Sequence, residues 1–415
     1  MKSVFILGAG ASREAGGPLM NDFFDKAEGV YAKNLSNPQF EESKRFFENV
    51  FNALNQLKII YAKSNINIHN IETVFGLLEM KSVLNECCEW DIDTNELHDS
   101  LIALIIKTLS GTIIFKSKIN PGDNRGKAYF PPDPYIGFIG TIIHAAKKYN
   151  SESWYDDISF ITFNYDLSLD FALACELKKD YLSNFNVKYE YHLTNSIEGN
   201  KISLLKLHGS MNWIPCRECY KDKVSNFINI VDPQEIITHN YKSEGKNIKT
   251  ISNEFFEGEY LKIDDFLKRT KNITCNHEQS SPLVPFLIPP TLEKISFHKQ
   301  ISNVWKKAAS VISKAENIFV IGYSLPETDT FFKYLYALGS IGKTRIKRFY
   351  VYDPNPEVHE RFRSLIGEMV SGRFKGIKCS FRESIHHIDP RTAYDKDKKI
   401  NEDSIEDALK KAYNL

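Results

Sequence analysis

A chain of 415 residues, 42% of them hydrophobic and 26% charged, has the composition of a globular protein with enough apolar surface for a large core. Its 53 basic and 53 acidic residues cancel, so no global charge draws it to nucleic acid, an anionic membrane or acidic substrates, and neither direct nucleic-acid nor membrane binding is expected. No stretch reaches the roughly 20 apolar residues of a membrane span, the run Val4 to Leu7 is too short for a secretory leader, and seven sparse cysteines make no disulfide framework; a cytoplasmic protein is expected.

In chain order, Val4 to Leu7 is the first of several short apolar runs that read as buried parallel strands. It leads directly into Gly8-Ala9-Gly10-Ala11-Ser12 and a helix-forming stretch. There, backbone amides at a helix start can meet a pyrophosphate, with glycine letting the phosphate approach. The spacing falls short of the full G-x-G-x-x-G pattern, so a plain tight strand-to-helix connection fits equally.

Helical patterning follows over Asn21 to Val30, Phe40 to Lys58, Ile71 to Cys88, Leu97 to Thr108 and Ile136 to Lys148. This is too much chain for a simple crossover and reads as a helical insertion over about 25–150. Asn70 is the expected N-cap of the third helix, with Glu72 in its first turn. Glu72 and Glu79 share a face that could reach a cleft, but solvated or helix-packing carboxylates are the commoner outcome, and they stay outside the candidate site. Pro131-Pro132-Asp133-Pro134 marks a loop.

The second strand, Ile158 to Phe163, ends in Asn164-Tyr165-Asp166. There an amide can orient a water or a ribose hydroxyl and a carboxylate can accept from a carboxamide; an Asx turn capping a helix near Leu167 is the alternative. Leu204 to Leu207 runs into His208-Gly209-Ser210, which places a ring at a cleft floor or simply a satisfied structural histidine. A polar insertion without clear period covers about 213–281. Ile318 to Ile321 ends in Gly322-Tyr323-Ser324, and Phe349 to Tyr352 in Asp353-Pro354-Asn355. The body of the chain spans 1–385, and 386–415 is a polar tail with a helix from Asp403 to Tyr413. In an open parallel sheet the loops beyond the strands' carboxyl ends share one ligand crevice, so these five are expected to converge.

Taken in order, Gly8-Ala9-Gly10-Ala11-Ser12, Thr162-Phe163-Asn164-Tyr165-Asp166, Leu207-His208-Gly209-Ser210, Ile321-Gly322-Tyr323-Ser324-Leu325 and Asp353-Pro354-Asn355 resemble the signature of the sirtuin superfamily. The resemblance implies an α/β fold with a Rossmann-like parallel sheet, carrying the large helical insertion and the small second one. It implies that Gly8, Ala9, Gly10 and Ser12 hold a diphosphate and that Gly322 and Ser324 face the phosphate or adenosine ribose. Asp353 and Asn355 would lie near the adenosine, Asp166 at the nicotinamide carboxamide, Asn164 at the nicotinamide ribose and a water, and His208 at the ribose hydroxyls. Phe163 stands where a glutamine is common, and Leu287-Ile288-Pro289-Pro290-Thr291 replaces the element lining the acyl-lysine tunnel of deacetylases. Arg13 is a candidate substitute for an arginine missing after the glycine loop. Cys216 and Cys219 sit where sirtuins carry half of a structural zinc ribbon, but the second half offers only Cys275 and His277, so a structural Zn2+ and a metal-free insertion both stay open.

Loss of the deacetylase elements and gain of a helical region resemble the bacterial sirtuin-like NAD+ hydrolases of antiphage defence. That resemblance implies cleavage of NAD+ to nicotinamide and ADP-ribose, control by homo-oligomerisation, and a separate partner, a HerA-like ATPase or another sensor subunit. The alternatives are NAD-dependent protein deacylation or ADP-ribosylation, and non-catalytic sensing of NAD or ADP-ribose.

Overall fold

The computed structural model describes residues 1–84, 90, 92–113, 115–118, 128–179, 187–193, 199–215, 227–229, 233, 256–257, 260–261, 285–289, 301–386 and 402–413. Its centre is a seven-stranded sheet, built by β1 (Ser3–Leu7), β4 (Ile158–Thr162), β5 (Lys188–Glu190), β6 (Lys201–Lys206), β11 (Asn317–Ile321), β12 (Arg348–Tyr352) and β13 (Phe374–Ile377). The order is β13-β12-β11-β1-β4-β6-β5, and every pairing is parallel. β1 and β11 are buried along their whole length, as strands covered on both faces must be. Phe5 stacks on Phe160 and Phe319 of its neighbours and meets Phe138 of an overlying helix edge-on. The fold is a Rossmann-like α/β parallel sheet.

After β1 the chain lays down β4, skips to the edge strand β5 and fills the gap with β6, then crosses to β11 on the other side of β1 and continues to β12 and β13. The reversal lies between β1 and β11. At such a switch point the two following loops diverge and open a crevice above the strand ends.

Between β1 and β4 stand α1 (Ala9–Arg13), α2 (Phe23–Asn34), α3 (Glu41–Leu57), α4 (Ile71–Leu84), α5 (Thr94–Thr112) and α6 (Tyr135–Tyr149). The expected helices are present, with boundaries shifted; the end expected at Cys88 lies outside the described residues. Asn70 caps α4 by accepting from the Glu72 amide at 2.8 Å. Val74 and Leu78 of α4 are buried, whereas Leu84 is exposed. α5 buries almost every residue from Leu97 to Leu109 and packs on α3 and α2, so it is the internal helix of this group.

The other helices are α7 (Ser168–Lys179), α8 (Ser302–Ser313), α9 (Thr330–Gly339), α10 (Pro356–Leu365), α11 (Phe381–Ile385) and α12 (Ile405–Tyr413), with one further turn of helix at Glu368–Ser371. Two smaller sheets complete the description. β7 (Trp213–Pro215) pairs with β8 (Phe227–Asn229), while β2 (Lys116–Lys118), β3 (Ala128–Phe130), β9 (Phe256–Glu257) and β10 (Tyr260–Leu261) form a sheet in the order β3-β2-β10-β9. Backbone from the stretch between β1 and β4 and from the stretch after β8 thus meets in one antiparallel sheet, a pairing no local pattern announces. Among the described residues no helix is long and apolar enough to cross a membrane.

Candidate functional site

Above the switch point lies a cavity of about 850 Å³, within the usual range for small-molecule sites. Its lining includes Ala9 and Gly10 after β1, Asn164 after β4, His208 after β6, Gly322 and Ser324 after β11, and Asp353 and Asn355 after β12. The structure brings all five expected loops together. Gly8, Ser12 and Asp166 are placed beneath the lining rather than on it, with Ser12 and Asp166 buried.

The glycines are required by the meeting of two backbones. Gly10 N–H donates to the Gly322 carbonyl at 2.8 Å, and Gly8 N–H to the Ile321 carbonyl at 3.1 Å. A Cβ on Gly8 would come within 2.6 Å of the Tyr323 Cα, and one on Gly10 within 2.8 Å of the Gly322 Cα. Gly322 has φ +57°, and a Cβ there would sit 2.3 Å from the Ala11 amide nitrogen. Packing of the β1 loop on the β11 loop therefore accounts for these glycines, in keeping with the tight strand-to-helix connection that the sequence left open beside access for a phosphate.

Beneath the floor, one hydrogen-bond network orients Asn164. The Ser12 hydroxyl donates to Asp166 Oδ2 at 2.7 Å, which spends its only proton. It can then only accept, from Tyr135 at 2.8 Å and from Asn164 Nδ2 at 3.0 Å. Burial, and then the Asp166 charge, hold the Tyr135 phenol well above its ordinary range, so it remains a donor. Asn164 Nδ2 gives its other hydrogen to the Gly8 carbonyl at 2.9 Å. Both amide hydrogens are consumed, and the amide offers the cavity Oδ1, an acceptor. Asp166 Oδ1 accepts from the Ser168 amide at 2.8 Å, so the Asx turn at the head of α7 is also present.

A buried ion pair anchors this loop. Lys206, on the cavity-side end of β6, is fully buried and donates to Asp170 Oδ2 at 3.0 Å and to the Asp166 carbonyl at 2.6 Å. Tyr191 donates to the other oxygen of Asp170. A lysine inside an otherwise apolar strand run is the one sequence signal that marks this arrangement.

His208 forms the opposite wall. Its Nε2 lies 3.0 Å from Asp329 Oδ1, and its ring meets Phe163 edge-on at 5.0 Å. Phe163 lies flat on Tyr323, 4.0 Å away at 6°. The segment Pro285–Pro289 backs this wall: Ile288 N–H donates to the His208 carbonyl, and Leu287 bridges to Gly209, whose φ of +85° and contact with the Phe286 carbonyl admit no side chain.

Side chains outside the sequence-derived set also line the cavity. Glu72, set aside at the sequence level as solvated or packing, reaches it from the first turn of α4 and accepts from Thr328 at 3.3 Å. Asp329 and Arg361 line it too, and Arg13 reaches it from α1. Burial lifts the Asp353 carboxyl above its ordinary value, with the Asn355 amide and the charges of His359 and Arg361 opposing. Asn355 caps α10 by accepting from the Glu357 amide at 3.0 Å. The cysteines and histidine considered for zinc, Cys216, Cys219, Cys275 and His277, lie outside the described residues. Among the described residues, no cluster of three or more His, Cys, Asp or Glu side chains is placed to hold a metal ion.

The chain is similar to Sir2 structures. A Sir2 homologue–NAD complex is 12% identical, with 100% of this chain and 89% of that one covered at a TM-score of 0.33. A mutant Sir2 homologue with ADP-ribose is 11% identical, covering 100% and 92% at 0.35. Sir2Tm bound to a propionylated peptide is 12% identical, covering 91% and 88% at 0.32. No protein-family model matches the chain, and no curated protein matches it. At these low scores the functional reading rests on the cavity's own residues.

Proposed function

We propose that the cavity binds NAD+ and that the chain hydrolyses its nicotinamide–ribose bond, releasing nicotinamide and ADP-ribose. The observation that carries this reading is Asn164, whose spent amide hydrogens leave Oδ1 as an acceptor in the same cavity as His208. An acceptor there suits a water or a sugar hydroxyl, which must donate to it. The glycosidic electron pair leaves with the pyridine nitrogen, so nicotinamide departs neutral and needs little acid assistance. The ribosyl carbon becomes oxocarbenium-like, water adds to it, and one proton is lost to solvent. Catalysis then consists of orienting ribose and water and favouring positive charge at the ribosyl carbon, a task for which the Glu72 and Asp329 carboxylates on the lining are suited.

Arg13 and Arg361 are the arginines on the described lining and suit the diphosphate, with the Ala9 amide at the β1 loop and Gly10 beside it. Gly322, Ser324, Asp353 and Asn355 form the adenosine side. Ser12 and Asp166 act from beneath, through Asn164. The ordered motif resemblance supports a role as a NAD-depleting effector of bacterial antiphage defence, held in check by homo-oligomerisation and a sensor subunit such as a HerA-like ATPase.

The test is nicotinamide release from NAD+ by purified wild type, Asn164→Ala and His208→Ala, with and without acetylated peptides. Peptide-independent release, reduced about 10²- to 10³-fold by each substitution, is expected. Release only with peptide would make the protein a deacylase, and NAD binding with no turnover would make it a sensor.

A further inference from the structure

Asp329 occupies the N-cap position of α9, where an aspartate ordinarily accepts from the helix's first amides. It makes no such bond. Its Oδ1 instead lies 3.0 Å from His208 Nε2, and its Oδ2 accepts from the Tyr323 hydroxyl at 3.0 Å. Burial, and then the Asp329 charge, keep the Tyr323 phenol well above its ordinary range, so Tyr323 is a permanent donor that fixes the carboxylate. The side chains of His208 and Asp329 are only 9% and 5% exposed, which rules out an incidental surface ion pair.

The backbone delivers Asp329 to this place through an unusual turn. Gly322 at φ +57° and Leu325 at φ +51° are both left-handed, and Leu325 is a buried residue with a Cβ. A non-glycine residue held there is strained and persists only where its surroundings impose it. The turn brings the 326–329 segment back over the β6 loop, from which His208 projects.

We propose that Asp329 is the positioning residue of His208, holding the ring with Nε2–H towards the carboxylate and Tyr323 as the brace. A carboxylate is acceptor-only, so the ring nitrogen facing it must carry a proton, which in the neutral ring leaves Nδ1 as the acceptor. His208 then meets a ligand hydroxyl as an acceptor, which is what the ribose of NAD+ requires. This last step rests on the hydrolase reading above; the tautomer does not.

Two measurements separate the parts. Histidine 15N–1H spectra of the full chain, with the His208 signal assigned by its loss in His208→Gln, read the tautomer directly. Nε2–H is expected in wild type, retained in Tyr323→Phe with a broadened signal, and redistributed towards Nδ1–H in Asp329→Ala and Asp329→Asn. Steady-state nicotinamide release is expected to lose about 10²-fold in kcat in both Asp329 variants with KM little changed, and Asp329→Glu should recover part of it. An Nδ1–H ring in wild type, or a tautomer indifferent to Asp329→Asn, overturns the proposal even if NAD+ is hydrolysed. The expected tautomer pattern in a protein that never cleaves NAD+ upholds the positioning and removes the hydrolase reading. Asp329→Asn, nearly isosteric, keeps the test open if Asp329→Ala fails to fold.

Discussion

Lys206 shows how a single residue ties the interior to the site. Its ammonium group, Asp170 and the Asp166 carbonyl form a closed buried set directly under the Asn164 loop. Replacing Lys206 with Met leaves the Asp170 charge buried with Tyr191 as a weaker partner, and a loss of about 3–5 kcal/mol is expected. Urea unfolding should show a lower midpoint at unchanged slope, and Lys206→Met/Asp170→Leu should recover most of it. At this scale Asn164 and His208 were legible, because a polar residue directly after a buried strand has few places to go but a cleft. Asp329 was not: an acidic residue before a helix reads as an N-cap, and its partner lies far away in the sequence. Glu72 was misjudged for a related reason, since an acid in a helix's first turn is explained well enough by the helix.

Among the elements, the five-residue helix α11 bears on the cavity. Ser380 accepts from the Glu383 amide while the Glu383 side chain accepts from the Ser380 amide, a complete capping box. It fixes Phe381, which meets Tyr135 at 5.2 Å and Phe138 at 5.1 Å and lines the cavity. Tyr135 in turn holds Ser12. Ser380→Ala is expected to cost about 1 kcal/mol and to speed amide exchange over Phe381–Ile385, which a denaturation curve with hydrogen exchange would measure. The apolar strand runs and the periods of the helices between β1 and β4 were visible in the sequence, whereas this capping box was not read from it. The edge strands β5 and β13 were not. Phe374–Ile377 has two exposed positions at its centre and no apolar run, and an edge strand is stabilised by its one neighbour more than by its own side chains.

For the whole molecule, the tail is part of the folded body. Ile405, Ala408, Leu409 and Tyr413 of α12 are buried, α12 packs on α6, and the Tyr413 hydroxyl lies 3.4 Å from Ser3 at the head of β1. Leu409→Ala should destabilise by about 2–5 kcal/mol, read from the chemical denaturation midpoint, and a loss under about 0.5 kcal/mol would mean that the tail detaches before the core melts. The sequence by itself determined the central strands, the insertion helices and the polar loops at the strands' carboxyl ends, because these follow from short-range pattern and from turn chemistry. Only the tertiary structure decided that the chain reverses between β1 and β11, that Gly8 and Gly10 face Gly322, that β2 and β10 share a sheet, and that His208 is paired with Asp329. Each of those is a contact between distant segments, and its formation depends on which surfaces close packing brings together rather than on the neighbours of either residue along the chain.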